Sequence, residues 1–295
     1  MHVPGVPHQS DVLPLAVRGF AAWGFRFRFE SDDPLLVEVI DRCYRDLPTV
    51  HDDTAHVLRA VRAGQGGGFR VTIESPDGSV EECGTGRPRS AVLELLCWEV
   101  NRRAMATVTT QPVLHAAVVA GPRGAVALCG RSHSGKSTLS AAAAGRGWTH
   151  LSDDMGLVDV DAMTVEPYAR PIMLRPGGRQ HLGTAPPPTE HLQFFPEEWF
   201  VPASELGAAV CSEPQLLVGI GFLEWHDNAL LHPLSRAETL HDLTVHCASL
   251  AMQGSAGFAQ LERIARSVPG YRVGLGAAVE VLDLLAPLVG AAATQ

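Results

Sequence analysis

Residues Gly130-Arg131-Ser132-His133-Ser134-Gly135-Lys136-Ser137-Thr138 join an apolar run to an alanine-rich one, and this junction constrains the fold more than any other part of the chain. Upstream, Ala117-Val118-Val119-Ala120 and Ala125-Val126-Ala127-Leu128-Cys129 flank Gly121-Pro122-Arg123-Gly124, which predicts two buried strands joined by a tight turn. Downstream, Thr138 to Ala144 is a strong helix former that stops at Gly145 or Gly147. Between them the spacing G-x-x-x-x-G-K-S turns successive backbone N–H groups toward one anion at a helix N-terminus, where the helix dipole adds to the attraction. The pattern is that of a triphosphate-binding loop. Lys136 supplies a charge, the Ser137 hydroxyl can ligate Mg²⁺, and Gly130, Ser132, His133, Ser134, Gly135 and Thr138 complete the cradle. The His133 side chain is given no role of its own.

Composition narrows the class. The 295 residues suffice for one large domain or two modest ones, and 46% hydrophobic residues can fill a core. A net charge of −9, with unclustered Lys and Arg, excludes a broad nucleic-acid-binding face. Cys43, Cys83, Cys97, Cys129, Cys211 and Cys247 are scattered and contain no C-x-x-C pair, so they read as reduced core residues. His241 and His246 are five apart and miss the i, i+4 spacing of a helical metal pair, so no zinc is expected. No signal-peptide pattern and no window of 18 uninterrupted apolar residues occurs, and a cytoplasmic protein without a membrane segment is expected.

Along the chain, Trp23, Phe25, Phe27 and Phe29 alternate with Gly24, Arg26 and Arg28, a period of two that predicts a half-buried strand over Trp23 to Glu30. Ser31-Asp32-Asp33-Pro34 is a helix start, and that helix runs to about Leu47 before Pro48. Phe69 to Glu74 and the segment beyond Pro76-Asp77-Gly78 predict a hairpin. Arg89 to Met105 has helical spacing. Residues 1–106 therefore read as a small α+β domain, suited to substrate or partner binding, with the boundary near Thr107 to Pro112. Residues 107–295 read as a three-layer α/β/α phosphate-loop domain, with a central strand over Leu216 to Trp225 and helices over Ala237 to Met252, Gly257 to Ser267 and Gly276 to Val289.

Trp148-Thr149-His150-Leu151-Ser152-Asp153-Asp154 follows the loop helix at the distance of a next strand and ends in two carboxylates. Adjacent acids at a strand end repel unless a cation sits near them, which suits Mg²⁺. One carboxylate can hold the metal while the other accepts a proton from an attacking hydroxyl.

His115, the Gly130 to Thr138 loop and the Asp153-Asp154 pair, in this order and spacing, resemble the kinase domain of the HPr kinase/phosphorylase family. The closer likeness is to the HPr-kinase-related proteins found beside lasso-peptide and other ribosomal-peptide biosynthesis genes, some of which phosphorylate a serine of the precursor peptide. Pro167-Tyr168-Ala169-Arg170-Pro171 with Leu174, Pro233-Leu234-Ser235-Arg236-Ala237-Glu238 and Val268-Pro269-Gly270-Tyr271-Arg272 also match that related group. The resemblance covers about His115 to Leu285.

It implies a kinase using ATP and Mg²⁺, with Lys136 and Ser137 on the triphosphate and metal. Asp153 is assigned to the metal and Asp154 to the base, the reverse division being the alternative. His115 matches a family histidine near the reacting phosphate. Arg170 is either a phosphate contact or a surface arginine paired with Glu166 or Asp161. The glycine-rich signature loop of true HPr kinase/phosphorylases is absent. In its place, Gly177 to Pro202 carries Pro186-Pro187-Pro188 with Phe194, Phe195, Trp199 and Phe200, which reads as a lid, a peptide-docking ridge or a packed loop. The expected acceptor is a serine or other hydroxyl of a peptide or protein, such as a ribosomal precursor peptide. A small-molecule phosphotransferase and a nucleotide-gated binding module are the alternatives. No N-K-x-D base-reading motif suggests a GTPase. Assembly into a homo-oligomer stays open.

Overall fold

A computed structural model describes residues 14–51, 55–64, 67–182, 193–194 and 198–292. The fold is mixed α/β, with several sheets and seven helices among the described residues: α1 (Pro34–Cys43), α2 (Arg89–Ala106), α3 (Lys136–Gly145), α4 (Pro176–Leu182), α5 (Arg236–His246), α6 (Leu250–Ser267) and α7 (Ala278–Val289). No described helix is long and apolar enough to cross a membrane.

The first sheet runs Thr49–Val50, Gly19–Ala22, Phe25–Ser31, His56–Arg62, Phe69–Glu74, Val80–Arg87, with Leu15–Ala16 beside Phe25–Ser31. Phe25, Phe27 and Phe29 point inward, as the alternation predicts, whereas Trp23 sits in the preceding turn at φ 51° and the strand starts two residues later than expected. The Asp33 carboxylate accepts from the Leu35 and Leu36 N–H groups and starts α1 directly before Pro34. Leu36, Val39 and Ile40 of α1 and Val92, Leu93, Leu96 and Val100 of α2 cover the phenylalanines. The same core takes in Met155, Leu157, Tyr168 and Phe200 from the second half of the chain.

The second sheet centres on Gly124–Cys129. It pairs antiparallel with Ala116–Gly121 and parallel with Gln215–Trp225, which in turn pairs parallel with Gly270–Leu275. Ala116–Gly121 also pairs antiparallel with Thr149–Ser152. One face packs on α5 and α6 through Leu243, Leu261 and Ile264, the other on α3 and α7 through Leu139, Val281, Leu282 and Leu285. Alternating residues of each strand serve the two faces, as a sheet covered on both sides requires.

Three expectations are corrected. The helix expected over Ala237 to Met252 stops at His246, because Cys247 bridges to Leu114 and the Ala248 N–H donates to the Val113 carbonyl; α6 then starts at Leu250. Gly177 to Pro202 is not one loop. Its described residues include α4, and Gln193–Phe194 and Glu198–Val201 join Ile172–Leu174 in a small antiparallel sheet with Phe200 buried. Pro186-Pro187-Pro188 and Phe195 lie outside the described residues. All six cysteines are free, but Cys83 and Cys211 are half-buried, not core residues.

Candidate functional site

Register brings the candidate residues to one edge. Cys129 pairs with Ala116, so the loop that leaves Cys129 starts beside His115, the residue just before that neighbouring strand. Thr149–Ser152 runs antiparallel to Ala116–Gly121 and therefore in the same direction as Gly124–Cys129, and its end delivers Asp153 and Asp154 to the same edge. The strand of the acidic pair is one removed from the loop strand, with the His115 strand between them.

The loop turns sharply into α3. Gly135 is the N-cap at φ 85°, a conformation natural to glycine, and no side chain caps the helix. A Cβ at Gly130 would collide with the Ser134 hydroxyl. The free N–H groups of the first helical turn thus have no side-chain competitor for an anion. Lys136 is buried and reaches back over the loop, donating from Nζ to the Gly130 carbonyl at 2.8 Å and the Arg131 carbonyl at 3.0 Å. Burial lowers its pKa, against the pull of Asp154 and Asp153. Ser132 and His133 are exposed, and the Arg175 guanidinium donates to the His133 ring, Nη1 to Nδ1 2.7 Å. Thr138 faces α4 at Gly178.

The two carboxylates differ sharply. Asp153 is buried; Oδ2 accepts from Ser137 Oγ at 2.9 Å and from the Met173 N–H at 3.2 Å. Its other oxygen, Oδ1, is buried and takes no hydrogen bond from the described residues. Burial raises its pKa, partly offset by Arg170. Asp154 is half-exposed and held at φ 96°, a strained backbone for a residue with a side chain. His115 Nε2 donates to its Oδ1 at 2.7 Å, Arg170 Nη1 lies 3.4 Å from Oδ2, and Lys136 Nζ is 4.0 Å from Oδ1. Burial opposes ionisation of Asp154, but the His115 hydrogen bond and the Arg170 and Lys136 charges outweigh it and hold the carboxyl well below the usual range.

Arg170 takes neither partner considered from sequence. It is buried beside Asp154, its charge stabilised by Asp154 and Asp153 against the cost of burial, while Asp161 pairs with Arg263. His115, Lys136, Ser137, Asp153, Asp154 and Arg170 therefore share one site. Sequence reasoning weighs His246, the last residue of α5, only as half of a zinc pair, and the structure places it beside His115. Its carbonyl accepts the His115 N–H at 2.7 Å, and its half-buried ring stacks on Phe222 with centroids 6.0 Å apart. No local signal marks it, since the pairing that places it joins residues more than 130 positions apart.

No family model matches the chain, and no curated protein matches it. Among solved structures, the HPr(Ser) kinase/phosphatase from Coxiella burnetii is similar over 60% of this chain and 93% of that chain, at 13% sequence identity and a TM-score of 0.30.

Proposed function

We propose that this protein is an ATP-dependent kinase that transfers the γ-phosphate to a serine or other hydroxyl of a peptide or protein. The observation that carries the reading is the Ser137 hydroxyl 2.9 Å from a buried Asp153 whose second oxygen is unsatisfied, at the N-terminus of an uncapped helix and next to an ionised Asp154.

A buried carboxylate oxygen without a donor is costly, and a hard divalent cation satisfies it. Ser137 and Asp153 would hold Mg²⁺, which when bound neutralises charge on the phosphate oxygens. Gly130 to Thr138 would bind the phosphates, and the Lys136 ammonium would offset charge on the transferred group. The acceptor oxygen bonds to the γ-phosphorus as the bond from that phosphorus to the ADP oxygen breaks, and the hydroxyl proton passes to Asp154. His115 and Arg170 hold Asp154 ionised and oriented for that proton. The half-exposed Asp154 leaves the reacting carboxylate within reach of a hydroxyl carried on a chain.

Incubation with γ-labelled ATP, Mg²⁺ and a panel of hydroxyl-bearing peptides tests this, with intact mass spectrometry reading the gain of one phosphate. Tight ATP binding with neither phosphopeptide nor ADP would replace it with a nucleotide-gated binding module. ADP release that depends on a metabolite would replace it with a small-molecule phosphotransferase.

A further inference from the structure

The candidate site sits on the second sheet, yet one of its supports comes from α2, the helix that covers the first. Tyr168 is 1% exposed and makes three hydrogen bonds, each to a different part of the molecule. Its N–H donates to the Leu151 carbonyl at 2.7 Å, and Tyr168 bridges in parallel to Ser152, the residue before the acidic pair. Its carbonyl accepts the Arg170 N–H at 2.7 Å, a tight turn that carries the Arg170 side chain back toward Asp154. Its hydroxyl donates to Asn101 Oδ1 at 2.5 Å, on α2, and its ring packs on Trp23 with centroids 5.1 Å apart. Burial pushes the phenol far up, so it stays a neutral donor at any working pH.

We propose that Tyr168 is a positioning residue, locked by Asn101 of α2, which fixes the spacing between the Arg170 guanidinium and the Asp154 carboxylate. It touches neither phosphate nor acceptor. Arg170 has no second described partner as close as Asp154, so its direction depends on the backbone turn that Tyr168 closes. Loss of the phenol–amide bond frees that turn to shift against α2, and the Arg170–Asp154 contact, already long at 3.4 Å, is the first to open. A misplacement of about 1 Å in a reacting group can cost on the order of 10²-fold in rate. The phenol–amide bond takes no part in the contacts that hold Asp153 to Ser137 and Met173 or Lys136 to the Gly130 and Arg131 carbonyls, so ATP affinity stays put.

The proposal rests on the kinase reading for its rate effect, but it has a second readout that does not. Tyr168→Phe keeps the ring on Trp23, Asn101→Leu removes the acceptor, and Asn101→Asp keeps an acceptor oxygen in place. In the full-length protein, Tyr168→Phe and Asn101→Leu should each lower kcat roughly 10-fold with the ATP KM unchanged, and Asn101→Asp should restore it. Histidine ring NMR signals of His115, which bonds Asp154, should move in the first two variants and return in the third. Signals that stay fixed in both Tyr168→Phe and Asn101→Leu overturn the proposal. If wild type transfers no phosphate, the kinase reading fails and the His115 signals alone decide. If Tyr168→Phe does not fold, Asn101→Leu, on a half-exposed helical position, carries the same test.

Discussion

At the scale of single residues, Asp153 and Asp154 are neighbours with opposite energetics. Burial raises the Asp153 pKa, so the folded state holds its proton more tightly than the unfolded chain. That contribution favours folding at low pH and is lost as pH rises through the folded pKa. The Asp154 pKa is depressed, so its contribution is present above the unfolded value of about 3.9 and is lost as pH falls toward its folded pKa. Asp153→Asn should therefore raise Tm at pH 7 by roughly 2–4 °C, the shift of about 1 kcal/mol in a chain this long, and the gain should fade on acidification. Asp154→Asn should lower Tm by less, because half of that side chain is in water and the solvent screens its partners. Asparagine tolerates the left-handed backbone at 154, so strain does not confuse the comparison. Thermal unfolding across pH 4–8 checks the pair, and shifts of the same sign in both variants would refute the account. On activity, Asp154→Asn should cost about 10²–10⁴-fold in transfer rate, the range for a lost proton acceptor, with ATP binding retained in calorimetry.

At the scale of elements, what was legible was local. The hairpin Ala116–Gly121 and Gly124–Cys129, the glycine turn into α3 and the Asp33-Pro34 start of α1 all follow from residues within a few positions of each other. The grouping of His115 with the loop and the acidic pair came from the family resemblance, not from local pattern, and its physical cause is long-range: the His115 strand lies between the other two, and only register shows it. The same blindness explains the unbroken helix expected past His246, where pairing of Cys247 and Ala248 with Val113 and Leu114 overrides helical spacing. It also explains Arg170, whose partner is 16 residues away across a turn that Tyr168 closes. Inside α6, Gly254 takes φ 56° and ψ −132°, a region that side chains avoid. Helical spacing in the sequence ends at Met252 and resumes at Gly257, and Gly254 lies in that gap, where it interrupts the helical backbone. Gly254→Ala should destabilise the protein by about 1–3 kcal/mol. Urea unfolding monitored by circular dichroism reads this as a lower midpoint at unchanged slope, and an unchanged midpoint would show that α6 straightens at no cost.

At the scale of the whole molecule, the two halves of the chain are stitched by polar contacts, from α1 and the residues after it to the Ala203–Leu206 turn, as well as by a common core. Arg42 grips Glu205 through Nε at 2.7 Å and Nη2 at 2.5 Å, Arg45 adds a bond at 2.9 Å, and the Asp46 carboxylate accepts from Ser204. Glu205 is only 12% exposed, so its charge is held between two arginines with little water. Below it, Phe20, Phe27 and Tyr44 belong to the same apolar cluster as Leu157, Tyr168 and Phe200. Separating the two sheets would expose that cluster, and apolar surface costs about 25 cal/mol per Å² in water. The intact chain should therefore unfold as one cooperative unit even though its sequence divides naturally near residue 107. Trp98 on α2 and Trp148 beside the second sheet report on the two parts separately once the other tryptophans are replaced by phenylalanine. Their thermal midpoints should coincide, and Glu205→Gln, which leaves both arginines with a weaker partner, should move both midpoints down together. Two separated transitions, or a Glu205→Gln shift seen by one probe alone, would mean that the sheets fold independently and that Asn101 grips Tyr168 only after both are formed.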